Sequence, residues 1–437
     1  MTQHVSVAVI GSGFAGLGTA IALKQSGRDD FVVLERASDV GGTWRDNSYP
    51  GCACDVPSHV YSFSFAPNPN WSHSFSRQPE IQAYLQKTAR DYGVLPHVRF
   101  DCELLDARWD HSWSAEGRRV AVIGTGASAI QFVPKLQPEV EHLTLFQRTA
   151  PWVLPRRDRR ISPLEKKAYA RFPLLQKAMR GLIYAGRETN VVGFRYYRGV
   201  MRLAERMARK HLEQQVPDPV LRAKLTPHFT LGCKRVLLSN SYYPALSQPN
   251  AEVVTDRIVQ VVPEGVVTEA ADGSRTTHEV DTIVFGTGFH VTDPPVAQRI
   301  SVDGVSLAEH WKGSGMQALH GLSVAGYPNL FFLVGPNTGL GHNSIVLMIE
   351  AQVGHVLKAL DAMEGQGAIV ARADVQEAYN LRLQRELAKT VWNQGGCQSW
   401  YLDEKGRNTT LWPGFTFTFM RELAAFDRDE YELLPRG

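Results

Sequence analysis

One glycine-spaced turn occurs twice in this chain, each time in the same setting. Residues 5–10 (VSVAVI) are a continuous apolar, β-branched run, followed at once by Gly11-Ser-Gly13-Phe-Ala-Gly16 and then by a helical pattern through Leu23. Residues 119–123 (RVAVI) lead in the same way into Gly124-Thr-Gly126-Ala-Ser-Ala129 and a helix to about Lys135. In such a turn the first glycine makes the bend, the second lets bare backbone approach a pyrophosphate, and the third lets helix pack on strand. A single match carries little weight. Two matches, each between an apolar strand and a helix and each followed by a second strand, predict an α/β fold with two Rossmann-like dinucleotide-binding domains.

The two second strands end differently. Phe31 to Leu34 runs into Glu35, an acceptor suited to a ribose diol, so the first unit favours FAD or NAD. Leu143 to Phe146 runs into Gln147-Arg148-Thr149, where a guanidinium suits a 2′-phosphate, so the second favours NADP. Ala129 in the third glycine's place is tolerated in such turns.

Between the second unit and the next strands lies a basic, helix-prone stretch, residues 156–225, opening with Arg156, Arg157, Arg159 and Arg160. It lacks strand alternation, and no aromatic pattern accompanies its charges, so it reads as a helical insertion serving as scaffold rather than as a nucleic-acid surface. Val253 to Val262, a hairpin signal at Asp272-Gly273, and Val280 to Phe285 closed by Gly286-Thr-Gly288 restore strands. Asn329 to Val334 reads as a buried strand, followed by a glycine-rich segment through Gly341 and a long helix, Ser344 to Met363, capped by Asn343 or Ser344. The expected division is a first part of an FAD domain over 1–110 and an NADP domain over 111–285 containing the insertion. Residues 286–437 would form the second part of the FAD domain and a C-terminal segment.

Composition restricts the partners. Lys and Arg number 47 against 44 Asp and Glu, leaving no global field for nucleic acid or a membrane surface. No apolar run approaches the roughly 18 residues of a membrane span, and residues 1–10 read as a strand rather than a signal peptide, so a cytoplasmic protein is expected. Five scattered cysteines, Cys52, Cys54, Cys102, Cys233 and Cys397, suit a reducing cytosol better than a disulfide framework. The 14 histidines show neither H-x-x-H nor H-E-x-x-H spacing, so no metal site is expected.

The paired fingerprints, taken with Gly41-Gly-Thr-Trp44, Tyr49-Pro-Gly51, Asp55, Lys234-Arg235, Gly286-Thr-Gly288 and Trp400-Tyr401, resemble the Baeyer–Villiger monooxygenases, within the class B flavoprotein monooxygenases. The resemblance spans essentially the whole chain. It implies that FAD is held by Gly11, Gly13, Gly16, Glu35, Thr43, Trp44, Asp55 and Tyr61. It implies that NADPH is held by Gly124, Thr125, Gly126, Ser128, Arg148, Thr149, Lys234 and Trp400. Arg235 matches the family's active-site arginine, with Asp55 orienting it, and the helix from Ser344 would aim its positive end at the flavin. The implied reaction runs through a C4a-peroxyflavin that attacks a ketone to give an ester or lactone.

The chain departs from the family pattern at one place. Gly124 follows Gly11 too closely, and the residues that should lie between about 105 and 115 are missing. These are a β-meander, a returning strand and most of the linker signature, of which Trp109-Asp110 remains while Leu105 stands where its histidine belongs. The first sheet should therefore lose strands and expose an edge. Two alternatives to a ketone monooxygenase stay open at this point: an N- or S-oxygenating relative, and a catalytically silent dinucleotide-binding remnant.

Overall fold

The computed structural model describes residues 4–102, 113–288 and 291–435. Strand β1 (Val7–Ile10), helix α1 (Phe14–Gln25) and strand β2 (Phe31–Leu34) form the first βαβ unit, with Val7 opposite Phe31 and Ile10 opposite Leu34 in parallel register. Helix α2 (Gln78–Asp91) precedes the short strand β3 (Val98–Arg99), which pairs parallel with β2 and completes the order β1-β2-β3.

The second unit contains β4 (Arg119–Ile123), α3 (Ala129–Leu136) and β5 (His142–Phe146). The helical insertion follows as predicted, with α4 (Pro163–Arg171), α5 (Pro173–Glu188) and α6 (Arg198–Gln215). Ser162 and Glu165 start α4 with a reciprocal capping box. The chain then returns through β6 (Ala251–Val254), an antiparallel meander of β7 (Arg257–Val262), β8 (Gly265–Glu269) and β9 (Arg275–Glu279), and β10 (Thr282–Phe285). The expected run Val253 to Val262 thus divides at Thr255-Asp256 between two sheets. Gly273, at φ +82°, makes the predicted turn between β8 and β9. The second parallel sheet has the order β10-β4-β5-β6. Its central residues Val120, Val122, Leu143 and Leu145 are fully buried, because helices and loops cover both faces.

Helix α7 (Ile345–Ala362) carries the chain back to the first unit. Ser344 is the cap, its hydroxyl accepting from the Val346 N–H at 3.3 Å. Val346, Ile349 and Val353 share one core with Leu17 and Ile21 of α1 and with Ile81 and Leu85 of α2. This return explains why residues far down the chain belong with the first unit.

Two expectations need correction. Asn329 to Val334 is not a regular strand: Asn329 and Val334 both adopt left-handed backbone at φ 61°, which breaks an extended run at each end. Only an isolated bridge from Phe331 to Ser323 remains. Among the described residues β1 is therefore an edge strand, and Ile10 is 74% exposed. Second, Cys233 and Cys397 form a disulfide across 164 residues, against the expectation of free thiols. Cα atoms 6.2 Å apart allow the bond, and packing of the two segments brings them there, with the Thr230 N–H donating to the Gly395 carbonyl at 3.0 Å. Cys52, Cys54 and Cys102 are free. Leu105 and Trp109-Asp110 lie outside the described residues.

Candidate active site

The first turn is built as its glycines require. Gly11 has φ +88°, and a Cβ on Gly16 would stand 1.8 Å from the Gly11 carbonyl oxygen, so only glycine lets α1 approach the strand here. Gly13 caps α1 without a side-chain bond, and no acid occupies the first helical turn, which leaves its N–H groups available to an anion. Glu35 is buried, with its oxygens held by the Ser12 N–H (2.8 Å), the Ser12 hydroxyl (2.6 Å), the Ala37 N–H (3.0 Å) and Arg45 (2.9 Å). Burial pushes this carboxyl up, but the Ser12 hydroxyl and the two N–H groups, more than Arg45, hold it below its ordinary value.

The second unit opens on a cavity of about 1970 Å³, larger than a single small-molecule pocket needs, which also takes in the loop that follows β2. Among the expected residues, its lining includes Trp44, Asp55, Tyr61, Gly124, Thr125, Gly126, Ser128, Arg148, Thr149, Lys234, Arg235 and Trp400. Gly11, Gly13, Gly16, Glu35 and Thr43 are not among its lining residues. Thr43 and Trp44 share the helical turn Thr43–Asp46, and the Trp44 indole donates to the Tyr61 hydroxyl at 3.0 Å. In the second turn Gly124, at φ +111°, presses against β10, where a Cβ would meet the Gly286 carbonyl oxygen at 2.4 Å. The Thr125 hydroxyl donates to the Thr149 carbonyl at 3.2 Å and ties that turn to the end of β5.

Two cations, Arg148 and Lys234, line the cavity beside this second turn and have no carboxylate partner among the described residues. Burial, then the Arg148 guanidinium, lowers the pKa of the Lys234 ammonium, and the Lys234 Nζ sits 5.2 Å from the centre of the Phe229 ring. Two like charges held together in this way fit a doubly charged anion.

Arg235 and Asp55 form a two-pronged pair, with Nε to Oδ2 and Nη2 to Oδ1 both 2.7 Å. Their side chains are 40% and 27% accessible, through the cavity that both line. Burial alone would raise the Asp55 carboxyl; the Arg235 guanidinium, with help from Arg187, outweighs it and holds the group below the usual carboxylate value. Asp55 in turn raises the Arg235 pKa, so the guanidinium stays charged. Burial pushes the nearby Tyr401 hydroxyl up to about 12, which keeps it neutral beside Arg235.

The structure adds residues that the sequence did not single out. Tyr49 donates to Gln131 Oε1 at 3.0 Å, and Gln131 Nε2 donates to the Ala53 carbonyl at 3.0 Å, fastening α3 to the loop that carries Asp55. Two residues at the end of α5 also reach the site from the supposed scaffold. Arg187 interacts with Asp55, and the buried Glu188 accepts from Asn343 (2.8 Å) and the Thr416 N–H (2.9 Å). Asn343, beside the N-terminus of α7, lines the cavity. No local motif marks these residues, because tertiary packing alone brings them here. Among the described residues there is no cluster of metal ligands, and no helix is long and apolar enough to cross a membrane.

Two βαβ units with dinucleotide-type turns, beside a cavity that takes in the second turn, the loop after β2 and a paired arginine, fit a two-domain nucleotide-dependent oxidoreductase. Residues 9–78 match the NAD(P)-binding Rossmann-like domain family. A Baeyer–Villiger monooxygenase of Streptomyces coelicolor is 48% identical over 488 aligned positions, covering 99% of this chain and 93% of that protein. One from Pseudomonas aeruginosa is 46% identical, covering 99% and 92%. The chain belongs to the Baeyer–Villiger monooxygenase family. Because the aligned span of 488 positions exceeds the 437 residues present, the Streptomyces protein carries residues with no counterpart here. The fold is also that of two solved structures. An oxidized steroid monooxygenase bound to NADP has a TM-score of 0.83 at 24% identity, with 100% of each chain covered. Cyclohexanone monooxygenase from Rhodococcus sp. Phi1 bound to NADP+ has a TM-score of 0.85 at 23% identity, with 99% of each covered.

Proposed function

We propose that this chain is an FAD- and NADPH-dependent monooxygenase that inserts one oxygen atom of O2 into a ketone to give an ester or lactone. The observation that carries this reading is the Arg235–Asp55 pair, a permanent cation held by two 2.7 Å bonds on the wall of a cavity lined by the second nucleotide unit and by the loop that follows the first. FAD fits the first unit because the Gly16 cradle would be filled by any Cβ and the start of α1 offers uncapped N–H donors. NADPH fits the second, where Arg148 and Lys234 supply the charge that a 2′-phosphate needs. In this assignment residues 1–110 and 286–437 hold FAD, which the return of α7 to the α1 core supports, and residues 111–285 hold NADPH.

Bound FAD, reduced by NADPH, supplies the centre that activates O2 for attack on the ketone. The protein's residues do the rest. Arg148 and Lys234 would hold the coenzyme by its phosphate, and Trp400 lines the same cavity. Arg235 stabilises negative charge as it develops in the cavity, and its high pKa prevents it from giving up a proton in doing so. Asp55 sets the direction of the guanidinium plane through both of its oxygens.

The test separates the two halves of the reaction. Arg235→Ala should still let NADPH bleach bound FAD anaerobically, at reduced efficiency, while ester formation from ketones is lost. Ester produced at the unaltered protein's rate would overturn the role of Arg235. Exclusive oxygenation of amines or sulfides by the unaltered protein would overturn the ketone assignment.

A further inference from the structure

Helix α5 shows an apolar stripe to solvent in addition to the apolar residues it packs on the core. Its solvent face presents Leu174, 78% exposed, and Leu182, 70% exposed, with Ala178, Ala185 and the neighbouring Leu175 along the same stripe. Its inward face sets Met179, Ile183 and Tyr184 against the first core and carries polar groups beside them. Gln176 donates to the Asn68 carbonyl at 2.7 Å, and Arg180 donates to the His59 carbonyl at 2.7 Å and the Ser62 carbonyl at 2.9 Å. Glu188 is tied to Asn343 and Thr416 as described above. Rolling the helix to hide its leucines would break these bonds, so the apolar face is held outward. The helix α4, packed against α5, extends the patch with Leu164, 76% exposed, and the junction adds Phe172.

The rim of this patch is cationic. Lys167, Arg171 and Lys177 are exposed around it, and the nearby Glu165 is already taken by Arg159 through bonds of 2.9 and 2.7 Å. Residues 156–225 hold 18 Lys and Arg against 6 Asp and Glu, whereas the whole chain nets only +3. The positive charge is thus concentrated in the element that exposes leucines. A second copy of the chain docked here through a two-fold axis would bring the same cations together with no acid to answer them. An anionic bilayer surface answers both features, since leucines enter the acyl boundary while Lys and Arg meet the phosphates.

We propose that α4 and α5 form a docking surface for anionic phospholipid bilayers, on which α5 lies in the plane of the interface. The test is flotation of the full-length protein, supplied with FAD, with vesicles of mixed phosphatidylglycerol and phosphatidylcholine or of phosphatidylcholine alone. The protein should float with the anionic vesicles, should float far less with the neutral ones, and should be released by high salt. Two variants, Leu174→Ser with Leu182→Ser, and Lys167→Glu with Arg171→Glu and Lys177→Glu, should each lower partitioning by at least about tenfold. Their thermal melts and FAD binding should match the unaltered protein, because none of these side chains faces the core. Protein that stays behind with anionic vesicles, or variants that float unchanged, would overturn the proposal. So would a dimer in sedimentation equilibrium that the leucine variant dissociates.

Discussion

At the scale of single residues, the proposed choice of coenzyme rests on Arg148, just after β5, and Lys234, which have no carboxylate partner among the described residues. Each charge-assisted contact to a 2′-phosphate contributes about 1.5–3 kcal/mol, so NADPH should be preferred over NADH by at least about tenfold. Arg148→Ala should raise the KM for NADPH while leaving that for NADH nearly unchanged; steady-state kinetics with both coenzymes would show it. Lys234 adds a pH dependence of definite sign. Burial and then Arg148 lower its pKa, so it loses its charge at a lower pH than an ordinary lysine. The KM for NADPH should therefore climb on the alkaline side, and Lys234→Met should flatten that limb of the profile. Arg148 was legible because a βαβ unit places its discriminating residue at the end of its second strand. Arg187 and Glu188 were not, since nothing local distinguishes them from other charged residues at the end of a helix.

At the scale of elements, the turns and caps were legible and the long-range pairings were not. Gly11 to Gly16, the Asp272-Gly273 hairpin and the Ser344 cap each follow from chemistry within a few residues. The failed strand at Asn329 to Val334 has strand-like composition, yet two left-handed residues set by its surroundings end it. Gly16→Ala tests the first turn. With a Cβ 1.8 Å from the Gly11 oxygen, α1 must move away, at a cost of about 1–3 kcal/mol, and FAD should be lost before the fold is. Paired thermal melts with and without added FAD would record both effects. The disulfide joins the segment ahead of Lys234 and Arg235 to the loop that leads to Trp400. For a closed loop of 164 residues, the chain-entropy model gives about 5 kcal/mol of stabilisation. Dithiothreitol, or Cys397→Ser, should lower the melting temperature and raise the KM for NADPH together, as the two segments loosen. Unchanged melting and kinetics under full reduction would show that the bond has no influence on either.

At the scale of the whole molecule, the first parallel sheet has three described strands and the second four. β1 keeps a free edge among the described residues, with Ile10 74% exposed, and at the edge of the other sheet Phe285 is 68% exposed. The Streptomyces and Pseudomonas relatives align over 488 positions and so carry residues that this chain of 437 lacks, as the short spacing of the glycine turns leads one to expect. Weak retention of flavin is therefore the expected outcome. Less than one FAD per chain should survive gel filtration, and added FAD should restore NADPH- and ketone-dependent oxygen uptake. One tightly held FAD per chain would show that the open edge is immaterial. The bond between Cys233 and Cys397 also makes much of the C-terminal half a covalent ring. A protease that nicks any loop between those residues would leave a single species on a non-reducing gel and two fragments on a reducing one. A cut chain could thus keep Arg235 beside Trp400 and pass for intact until a thiol is added.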